Sequence, residues 1–181
     1  MRKKIYRLIL KIIGWNVVLK VKIPEKCVFC VAPHTSNFDF LIGKLLYCAA
    51  EGKRLSFLIK KEWFRFPFNI IFKYFGGIPV DRKNKNSLTD QVAGLFESHE
   101  CLHLAVTPEG TRKANPNWKK GFYYIAQKAG VPILLAYIDY STKIAGVEQI
   151  FIPTGNEEKD MNKIKLYFKN FSGKYPESFA I

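Results

Sequence analysis

Short apolar runs alternate with helical patterns along most of this chain, beginning near residue 26. Apolar runs of about four to eight residues are typical of buried strands, whereas apolar positions at a period of about 3.6 predict amphipathic helices. The patterns predict strands over 27–32, 55–59, 78–80, 102–106 and 133–140, with a last strand near Ile150. This alternation predicts a single α/β domain built on a mostly parallel sheet.

Helix signals occupy the stretches between the predicted strands. Ser36, with Asp39 three residues later, forms a capping box that marks the start of a predicted helix over 36–50. The other predicted helices run from Pro67 to the Gly76-Gly77 pair, from Ser87 onward, over 118–129 and over about 157–170. Proline in the first turn and glycine just past the last turn are common at helix ends, and both occur here.

The N-terminal residues combine basic and apolar positions in a helical pattern. Lys4, Arg7 and Lys11 fall on one stripe of the predicted helix, and isoleucines and leucines cover the rest. No stretch reaches the roughly 20 apolar residues that span a bilayer. The helix would suit the interface of an anionic membrane, or it packs on the core with a solvated basic stripe. We therefore set residues 1–22 apart as a basic amphipathic segment from the domain formed by residues 23–181.

The chain has 181 residues with 29 basic and 15 acidic side chains, a formal net charge of +14. Such an excess indicates an anionic partner, which could be nucleic acid, an anionic membrane surface or a phosphorylated substrate. No helix-turn-helix, zinc-finger or RNA-binding signature occurs. The aromatic residues mostly lie in apolar runs such as 63–75, which are typical of core or membrane-facing positions rather than of a stacking platform. Nucleic acid is therefore not expected as a partner, although a basic nucleic-acid-binding module is a rival interpretation.

The four cysteines give no disulfide-scaffold pattern, which favours reduced thiols and a cytosolic setting. Cys27 and Cys30 have the spacing of a metal-binding pair, but no second pair of ligands follows. Both lie inside an apolar run, where cysteine packs as a small hydrophobic residue. We expect no metal site.

Three polar clusters each follow a predicted strand, where α/β folds place their ligands. In the first, 33–39, His34 lies on the strand-to-helix loop and Asp39 lies in the first turn of the helix. A carboxylate there can hold one tautomer of His34 and stabilise its protonated form, which makes His34 a candidate general base. Alternatively, Asp39 only caps the helix and His34 is an ordinary loop histidine.

The other two clusters offer groups that bind anions. The second is 107–112, in which Gly110 permits close backbone approach and Arg112 offers a fork-shaped donor to anions. The third is 76–82, which ends in Arg82. The alternatives are an ordinary turn for the second cluster and a solvated Asp–Arg pair for the third.

The order of these clusters resembles that of the glycerophospholipid acyltransferase family, of which lysophosphatidate acyltransferases are the best known members. The chain carries H-x-x-x-x-D from His34 to Asp39, then G-G-I-P-V-D-R, then P-E-G-T-R, then an apolar V-P-I strand. A lysine-containing stretch around Lys60 lies between the first two blocks, and the similarity spans about 27–140. The resemblance implies that 23–181 is an acyltransferase domain whose α/β fold has a mixed central sheet flanked by helices.

The resemblance also implies a reaction. An acyl group would pass directly from acyl-coenzyme A or acyl-carrier protein, as co-substrate, to a lysophospholipid hydroxyl such as that of 1-acylglycerol-3-phosphate. His34 would be the base and Asp39 its orienting partner, with no acyl-enzyme and no cofactor. Lys60 and the Gly110 amide would stabilise the thioester oxyanion. The residues implied to bind the acceptor phosphate are Arg82, Glu109, Gly110, Thr111 and Arg112.

One departure from the family pattern puts the acceptor in question. Thr107 stands before Pro-Glu-Gly-Thr-Arg, where relatives commonly carry phenylalanine. Acyl transfer to another membrane-lipid alcohol or amine is therefore an alternative, as are a thioesterase that uses water and an inactive lipid- or carrier-binding protein. The basic N-terminal helix leads us to expect a cytoplasmic protein, peripheral on the inner face of the cell membrane.

Overall fold

The computed structural model describes residues 2–50, 55–81 and 85–181. The strands in these ranges are β1 (Asn16–Leu19), β2 (Lys26–Ala32), β3 (Leu55–Lys60), β4 (Gly77–Val80), β5 (Leu102–Val106), β6 (Ile133–Asp139) and β7 (Ile144–Phe151). The α-helices are α1 (Arg2–Ile12), α2 (Phe38–Ala50), α3 (Phe68–Phe75), α4 (Lys85–Ser98), α5 (Gly121–Ala129) and α6 (Glu157–Phe168). Short 3₁₀ turns occur at Lys61–Trp63 and Pro176–Ser178.

The described strands form one sheet in the order β1-β7-β6-β2-β5-β3-β4. Neighbouring strands are parallel except for β6 and β7, which pair antiparallel. β2 lies in the middle, with Ala32 opposite Tyr137 of β6 and Cys30 opposite Val106 of β5. A mid-sheet strand in a parallel region is covered on both faces, which explains its continuous apolar sequence. The predicted mostly parallel, mixed sheet is confirmed.

Successive side chains of β2 point to opposite faces of the sheet, and each face is covered by helices. Cys27 and Phe29 pack with residues of α2, whereas Val28 and Cys30 pack in a cluster with residues of α4, α5 and α6. The result is an α/β/α sandwich, in which burying one large apolar side chain contributes about 1.5–3 kcal/mol. Because Cys27 and Cys30 face opposite sides, they do not form a shared metal site, and their apolar packing is confirmed.

The N-terminal segment 1–22 is not a single helix. α1 ends at Ile12, and β1 then joins the edge of the sheet, with Asn16 opposite Ile144 of β7. Trp15, between the two elements, is buried. A four-residue strand at a sheet edge has too few positions to give a clear pattern, so the sequence prediction missed it.

α1 packs on the core along one side only. Leu10 is fully buried in a cluster with residues of α2, and Arg7 Nε donates a hydrogen bond to Ala49 O at 3.3 Å. On the outer side, Leu8 and Ile12 are 57% and 75% exposed. The helix therefore packs on the core and also presents an apolar stripe outward, while its place at a membrane interface stays a prediction. Among the described residues, no helix combines the length and the apolar composition that crossing a bilayer demands.

Other differences from the predicted elements are local. α4 begins at Lys85 rather than at Ser87, and α5 begins at Gly121 rather than at Trp118. The Trp118 ring is buried, and its Nε1 donates to Ala180 O at 2.9 Å. Trp118 is therefore apolar because it packs in the core cluster, and not because it belongs to a helix. β7 starts six residues earlier than the expected strand near Ile150, because polar residues interrupt its apolar pattern.

Candidate active site

Three loops meet at the carboxyl edge of the sheet, after β2, β5 and β6. β2 lies between the other two strands and is parallel to both, so the three strands end at the same edge. The loop after β2 carries His34, the loop after β5 carries Glu109, and β6 is followed directly by Tyr140. This edge is the usual ligand site of open α/β sheets.

His34 and Asp39 form the pair that their spacing predicts. His34 Nδ1 lies 3.2 Å from Asp39 Oδ2; the Asp39 side chain is 2% exposed and the His34 side chain 21% exposed. The loop turns back between the two residues, since the Thr35 and Ser36 N–H groups both donate to Asp39 Oδ2, at 2.8 and 2.7 Å. The carboxylate therefore both caps the start of α2 and faces the histidine. The interpretation of Asp39 as a helix cap is thus compatible with its interpretation as the partner of His34.

A third element holds the other oxygen of the same carboxylate. Tyr140 OH donates to Asp39 Oδ1 at 2.7 Å, and its ring meets the edge of the Trp15 ring at 5.0 Å between centroids. Burial acts to raise the pKa of Asp39, but the hydrogen bonds from His34, Tyr140 and Ser36 outweigh it and lower the pKa below its usual value. Asp39 is thus ionised and fixed in orientation beside His34.

Glu109 supports the histidine from the neighbouring strand. Its Oε1 accepts a hydrogen bond from the His34 backbone N–H at 3.0 Å, and the residue is 3% exposed. The Oε2 atom is buried without a hydrogen-bond partner among the described residues. Burial raises the pKa of Glu109 to about 7, against the opposing hydrogen bond from His34. Its described contact is with the His34 loop, and contact with the acceptor phosphate stays a prediction.

Replacing Glu109 with glutamine should make stability less dependent on pH. An ordinary glutamate ionises near 4.3, so the unfolded chain releases this proton before the folded protein does, and wild-type stability falls as pH rises from about 4.5 to 7. Glutamine does not ionise and can still accept the His34 N–H. We expect the stability of Glu109→Gln relative to wild type to rise between pH 5 and pH 8, by about 3 kcal/mol at most. Thermal unfolding across that range measures it, and a constant difference would contradict the raised pKa.

Lys60, Gly110, Thr111 and Arg112, the other described residues that the resemblance implies, end β3 or follow β5 at the same edge of the sheet. Lys60 ends β3, next to β5, and is exposed. Gly110 has a φ of +67°, and its N–H donates to Thr107 O at 3.3 Å, so it serves the turn rather than an oxyanion in this conformation. Thr111 is half-buried and Arg112 is exposed. Arg82 lies outside the described residues.

Residues 172–175 also reach the histidine loop, which sequence reasoning missed. Tyr175 N donates to Thr35 Oγ1 at 3.2 Å, and Lys174 Nζ lies 3.8 Å from the centre of the Phe38 ring. Gly173 fits tightly there, since a Cβ atom would come within 2.7 Å of Thr35. Ser172 N donates to Asp139 Oδ1 at 3.0 Å, which anchors the segment at the end of β6. The only signal for it in the sequence is the glycine.

Within the ranges that the structure describes, no group of three or more histidine, cysteine, aspartate or glutamate side chains could hold a metal ion. The chemistry of the site is carried by the buried carboxylate and the partly exposed imidazole. These two side chains form a His–Asp pair at the carboxyl edge of the sheet of an α/β domain. Such a pair can move a proton at a bound substrate. The sequence model of the family described as Acyltransferase matches residues 15–138. The chain belongs to the acyltransferase family.

Two known proteins are similar to the chain. A protein from Mycoplasma pneumoniae, named as a probable 1-acyl-sn-glycerol-3-phosphate acyltransferase, is 34% identical over 145 residues, or 73% of this chain. The chain spans about half the length of that curated relative, covering 53% of it. The crystal structure of the 1-acyl-sn-glycerophosphate (LPA) acyltransferase PlsC from Thermotoga maritima matches with a TM-score of 0.62 and 20% identity, over 92% of this chain and 75% of that one. This second match confirms the fold.

Proposed function

We propose that this protein transfers an acyl group from an acyl thioester to the hydroxyl of a lysophospholipid, with 1-acylglycerol-3-phosphate as the leading acceptor. The observation that carries the proposal is the His34–Asp39 pair, fixed by hydrogen bonds at the carboxyl edge of the sheet. Membership in the acyltransferase family and the name of the Mycoplasma pneumoniae relative support the choice of reaction and acceptor. The thioester would be acyl-coenzyme A or acyl-carrier protein.

The geometry suits general base catalysis. With Nδ1–H directed at Asp39 Oδ2, the other ring nitrogen of His34 is the basic one. It takes the proton of the acceptor hydroxyl as the oxygen attacks the thioester carbonyl. The resulting tetrahedral intermediate collapses, the C–S bond breaks, and the imidazolium returns its proton to the leaving thiolate. Asp39 stabilises the imidazolium between the two proton transfers.

The test is an acylation assay with purified protein and labelled acyl donor. The arms are lysophosphatidate, monoacylglycerol, a lipid amine and no acceptor, each with acyl-coenzyme A and with acyl-carrier protein. We expect a diacyl product in the lysophosphatidate arm and little thiol release without acceptor. Free fatty acid formed at the same rate in all arms would identify a thioesterase instead. No thioester turnover in any arm would leave a binding protein and overturn the proposal.

Arg112 is proposed to bind the acceptor phosphate from the loop after β5. Guanidinium groups bind phosphate in a bidentate manner, and hydrogen bonds to charged groups contribute about 1.5–3 kcal/mol. Arg112→Ala should therefore raise KM for lysophosphatidate by roughly 10–100-fold and leave monoacylglycerol nearly unaffected, with partial rescue by lysine. Lys113→Ala, an exposed cation in the same loop, is the matched control. Equal losses on both acceptors would assign Arg112 to structure or to the acyl donor.

An anionic membrane surface is the proposed partner of α1, which would make the protein peripheral on the inner face of the cell membrane. The exposed basic stripe of α1, Lys4, Arg7 and Lys11, lies beside its exposed apolar residues. A helix with both stripes facing outward has the composition of interfacial helices. The acceptor lipid resides in the same membrane, so this docking would place the enzyme at its substrate.

Replacing Lys4 and Lys11 with serine should weaken binding to anionic vesicles by roughly 30-fold, because each basic residue near the surface contributes about 1 kcal/mol. Removing the whole helix is a poorer test, since Leu10 is part of the core. The matched control is Lys159→Ser with Lys169→Ser, which removes the same charge at α6 on the opposite face of the sheet. Vesicle sedimentation measures binding. A similar loss in both double variants would mean that net charge, rather than α1, drives it.

A further inference from the structure

Residues 61–75 form an aromatic segment that leaves large apolar side chains uncovered. It comprises the 3₁₀ turn Lys61–Trp63 and α3, and none of the side chains in either element is buried. The exposed fractions are 65% for Trp63, 80% for Phe66, 57% for Phe68, 60% for Ile70, 48% for Ile71, 80% for Tyr74 and 41% for Phe75. Contiguous apolar surface of this kind marks an interaction site, because water disfavours its exposure.

The aromatic segment lies on the same face of the sheet as α1. Lys44 of α2 places its Nζ 4.0 Å from the centre of the Phe75 ring, which ties the end of α3 to α2. α1 packs against α2 through the cluster that contains Leu10. α2 itself exposes Phe40 and Leu41 to about half of their area. Three neighbouring helices thus present apolar side chains on one face, whereas α4, α5 and α6 cover the other.

The charges of the aromatic segment suit an anionic surface. Lys61, Arg65 and Lys73 are exposed within it, Lys60 immediately precedes it, and Glu62 is its single acidic residue. Tryptophan, tyrosine and phenylalanine interleaved with lysine and arginine is the composition of protein surfaces that lie at the bilayer interface. A second copy of this chain, which has a net charge of +14, would place like charges against these cations.

We propose that the aromatic segment is a second membrane-docking element, inserting its rings into the interface of an anionic bilayer on the same face as α1. The inference rests on the membrane partner in the proposed function. The segment starts directly after β3, whose carboxyl end lies at the sheet edge that carries His34. Docking through this segment therefore holds the sheet edge that carries His34 against the membrane. α1 alone would fix only the end of the sheet at β1, which is the outer strand farthest from β4.

Tryptophan fluorescence reports on this segment without any labelling. The chain contains three tryptophans, of which Trp15 and Trp118 are 7% and 5% exposed and Trp63 is 65% exposed. Vesicles of phosphatidylcholine with phosphatidylglycerol should shift Trp63 emission to shorter wavelength, and phospholipids brominated on the acyl chain should quench it. Trp63→Phe should lose both responses while keeping vesicle binding, because phenylalanine preserves the apolar contact.

Substitution of one exposed ring gives the matched comparison. Phe66→Ser should weaken partitioning to these vesicles about tenfold, since it removes most of the gain from burying one large aromatic side chain. Leu166→Ser changes an exposed apolar residue of α6 on the opposite face, 63% exposed, and should leave partitioning unchanged. Both positions are exposed, so neither change disturbs the core.

The outcomes separate the proposal from its basis. The proposal would be overturned if the protein sedimented with vesicles while Trp63 emission stayed unchanged, or if Phe66→Ser bound vesicles as well as wild type does. Either result would show that α1 docks without the aromatic segment. Equal binding to purely neutral vesicles would overturn its electrostatic part. A Trp63 shift that depends on protein concentration without lipid would identify a second copy as the occupant. If the protein bound no vesicles at all, both the aromatic segment and α1 would be ruled out as membrane-docking elements. The catalytic function is tested separately, by acylation of an acceptor presented in micelles.

A different observation carries a second inference. Tyr140 OH donates a hydrogen bond to the Asp39 oxygen that does not face His34, and its ring contacts Trp15, between α1 and β1. We infer that Tyr140 is a positioning residue, which holds the Asp39 carboxylate turned toward His34. The ionisable groups facing the pair from the packed elements are Glu109 after β5, Tyr140 after β6, and Lys174 and Tyr175 in the segment 172–175.

Tyr140→Phe tests this role because it keeps the ring against Trp15 and removes one hydrogen bond. We expect kcat to fall about tenfold with KM nearly unchanged. The acid limb of the kcat/KM profile should move to higher pH, because the Asp39 carboxylate, with one hydrogen bond fewer, interacts more strongly with the His34 imidazolium. Tyr137→Phe, in β6, loses a similar hydrogen bond to Glu148 of β7 and should leave the profile in place. An unmoved profile in Tyr140→Phe would reduce Tyr140 to a structural residue.

Discussion

His34→Ala is expected to lower acyl transfer by about 10²–10⁴-fold, the usual contribution of general base catalysis. The substitution removes the imidazole but keeps the backbone N–H that Glu109 accepts, so the loop stays anchored. The His34 side chain lies outside the core clusters, which predicts little change in the unfolding temperature. kcat of the folded variant, with lysophosphatidate and acyl-coenzyme A, measures the effect.

The matched control is His99→Ala. His99 is an exposed histidine at the end of α4, where its ring contacts Ser98 and Leu95 O, away from the carboxyl edge of the sheet. It should retain wild-type turnover. If folded His34→Ala also turned over at the wild-type rate, the proton would have to be taken by another group and the proposed mechanism would be wrong.

Asp39→Asn should reduce both turnover and stability. An asparagine amide presents only one accepting oxygen, whereas Asp39 accepts from Thr35 N, Ser36 N and Tyr140 OH and faces His34. With its oxygen toward the Thr35 and Ser36 N–H groups and its amide toward the Tyr140 hydroxyl, the asparagine keeps these hydrogen bonds but lacks the negative charge that stabilises the His34 imidazolium, so we expect a loss in kcat of about 10²–10⁴-fold. The free energy of unfolding should fall by about 2–4 kcal/mol at neutral pH.

The stability loss should also depend on pH in a defined direction. The folded-state pKa of Asp39 is lowered, so its stabilisation is present above the unfolded-state pKa and disappears as pH falls through the folded-state value. The difference between wild type and Asp39→Asn should therefore shrink as pH is lowered from about 5 toward 3. Unfolding at several pH values measures this, and a difference that grew toward acid would contradict it.

Asp160→Asn separates the two effects of the Asp39 substitution. Asp160 is fully buried and accepts hydrogen bonds from Thr154 and Tyr123, on the helix layer that faces away from α2. Its amide variant should lose stability by a similar mechanism and keep the kcat of the folded fraction. A comparable loss of kcat in both variants would mean that general destabilisation, rather than the carboxylate beside His34, accounts for the Asp39 result.

The sequence predicted those parts of the site that depend on local patterns. His34 and Asp39 are five residues apart across a helix start, so their pairing follows from the geometry of one loop. The predicted parallel strands put the loops after β2 and β5 at one edge, which brought Glu109 near His34 as the strand order requires. The missed contacts span 101 residues for Tyr140 with Asp39 and 140 residues for Tyr175 with Thr35. Such contacts depend on strand order and on the path of the last residues, neither of which local periodicity encodes.

β1 and the outer side of α1 were missed or left open for a different reason. Hydrophobic patterning identifies apolar positions but not what covers them. In α1, Leu10 is buried while Ile12 is 75% exposed, although both are apolar positions of one short helix. Only the packing against α2 distinguishes them. The same limit applies to the aromatic segment, for which the sequence left core and membrane-facing positions open and which lies exposed in the fold.

The contact of residues 172–175 with the histidine loop has a consequence for how the protein is made. Polypeptides emerge from the ribosome at about 5–20 residues per second, so roughly 7–30 s separate the appearance of Thr35 from that of Tyr175. During that interval the nascent loop lacks the donor to the Thr35 hydroxyl and the cation against Phe38. Ribosome-bound chains that have not yet reached residue 172 therefore carry both His34 and Asp39 without the finished loop around them. The loop around His34 is therefore completed only when residues 172–175 have left the exit tunnel, after the strands β1 to β7 have been synthesised.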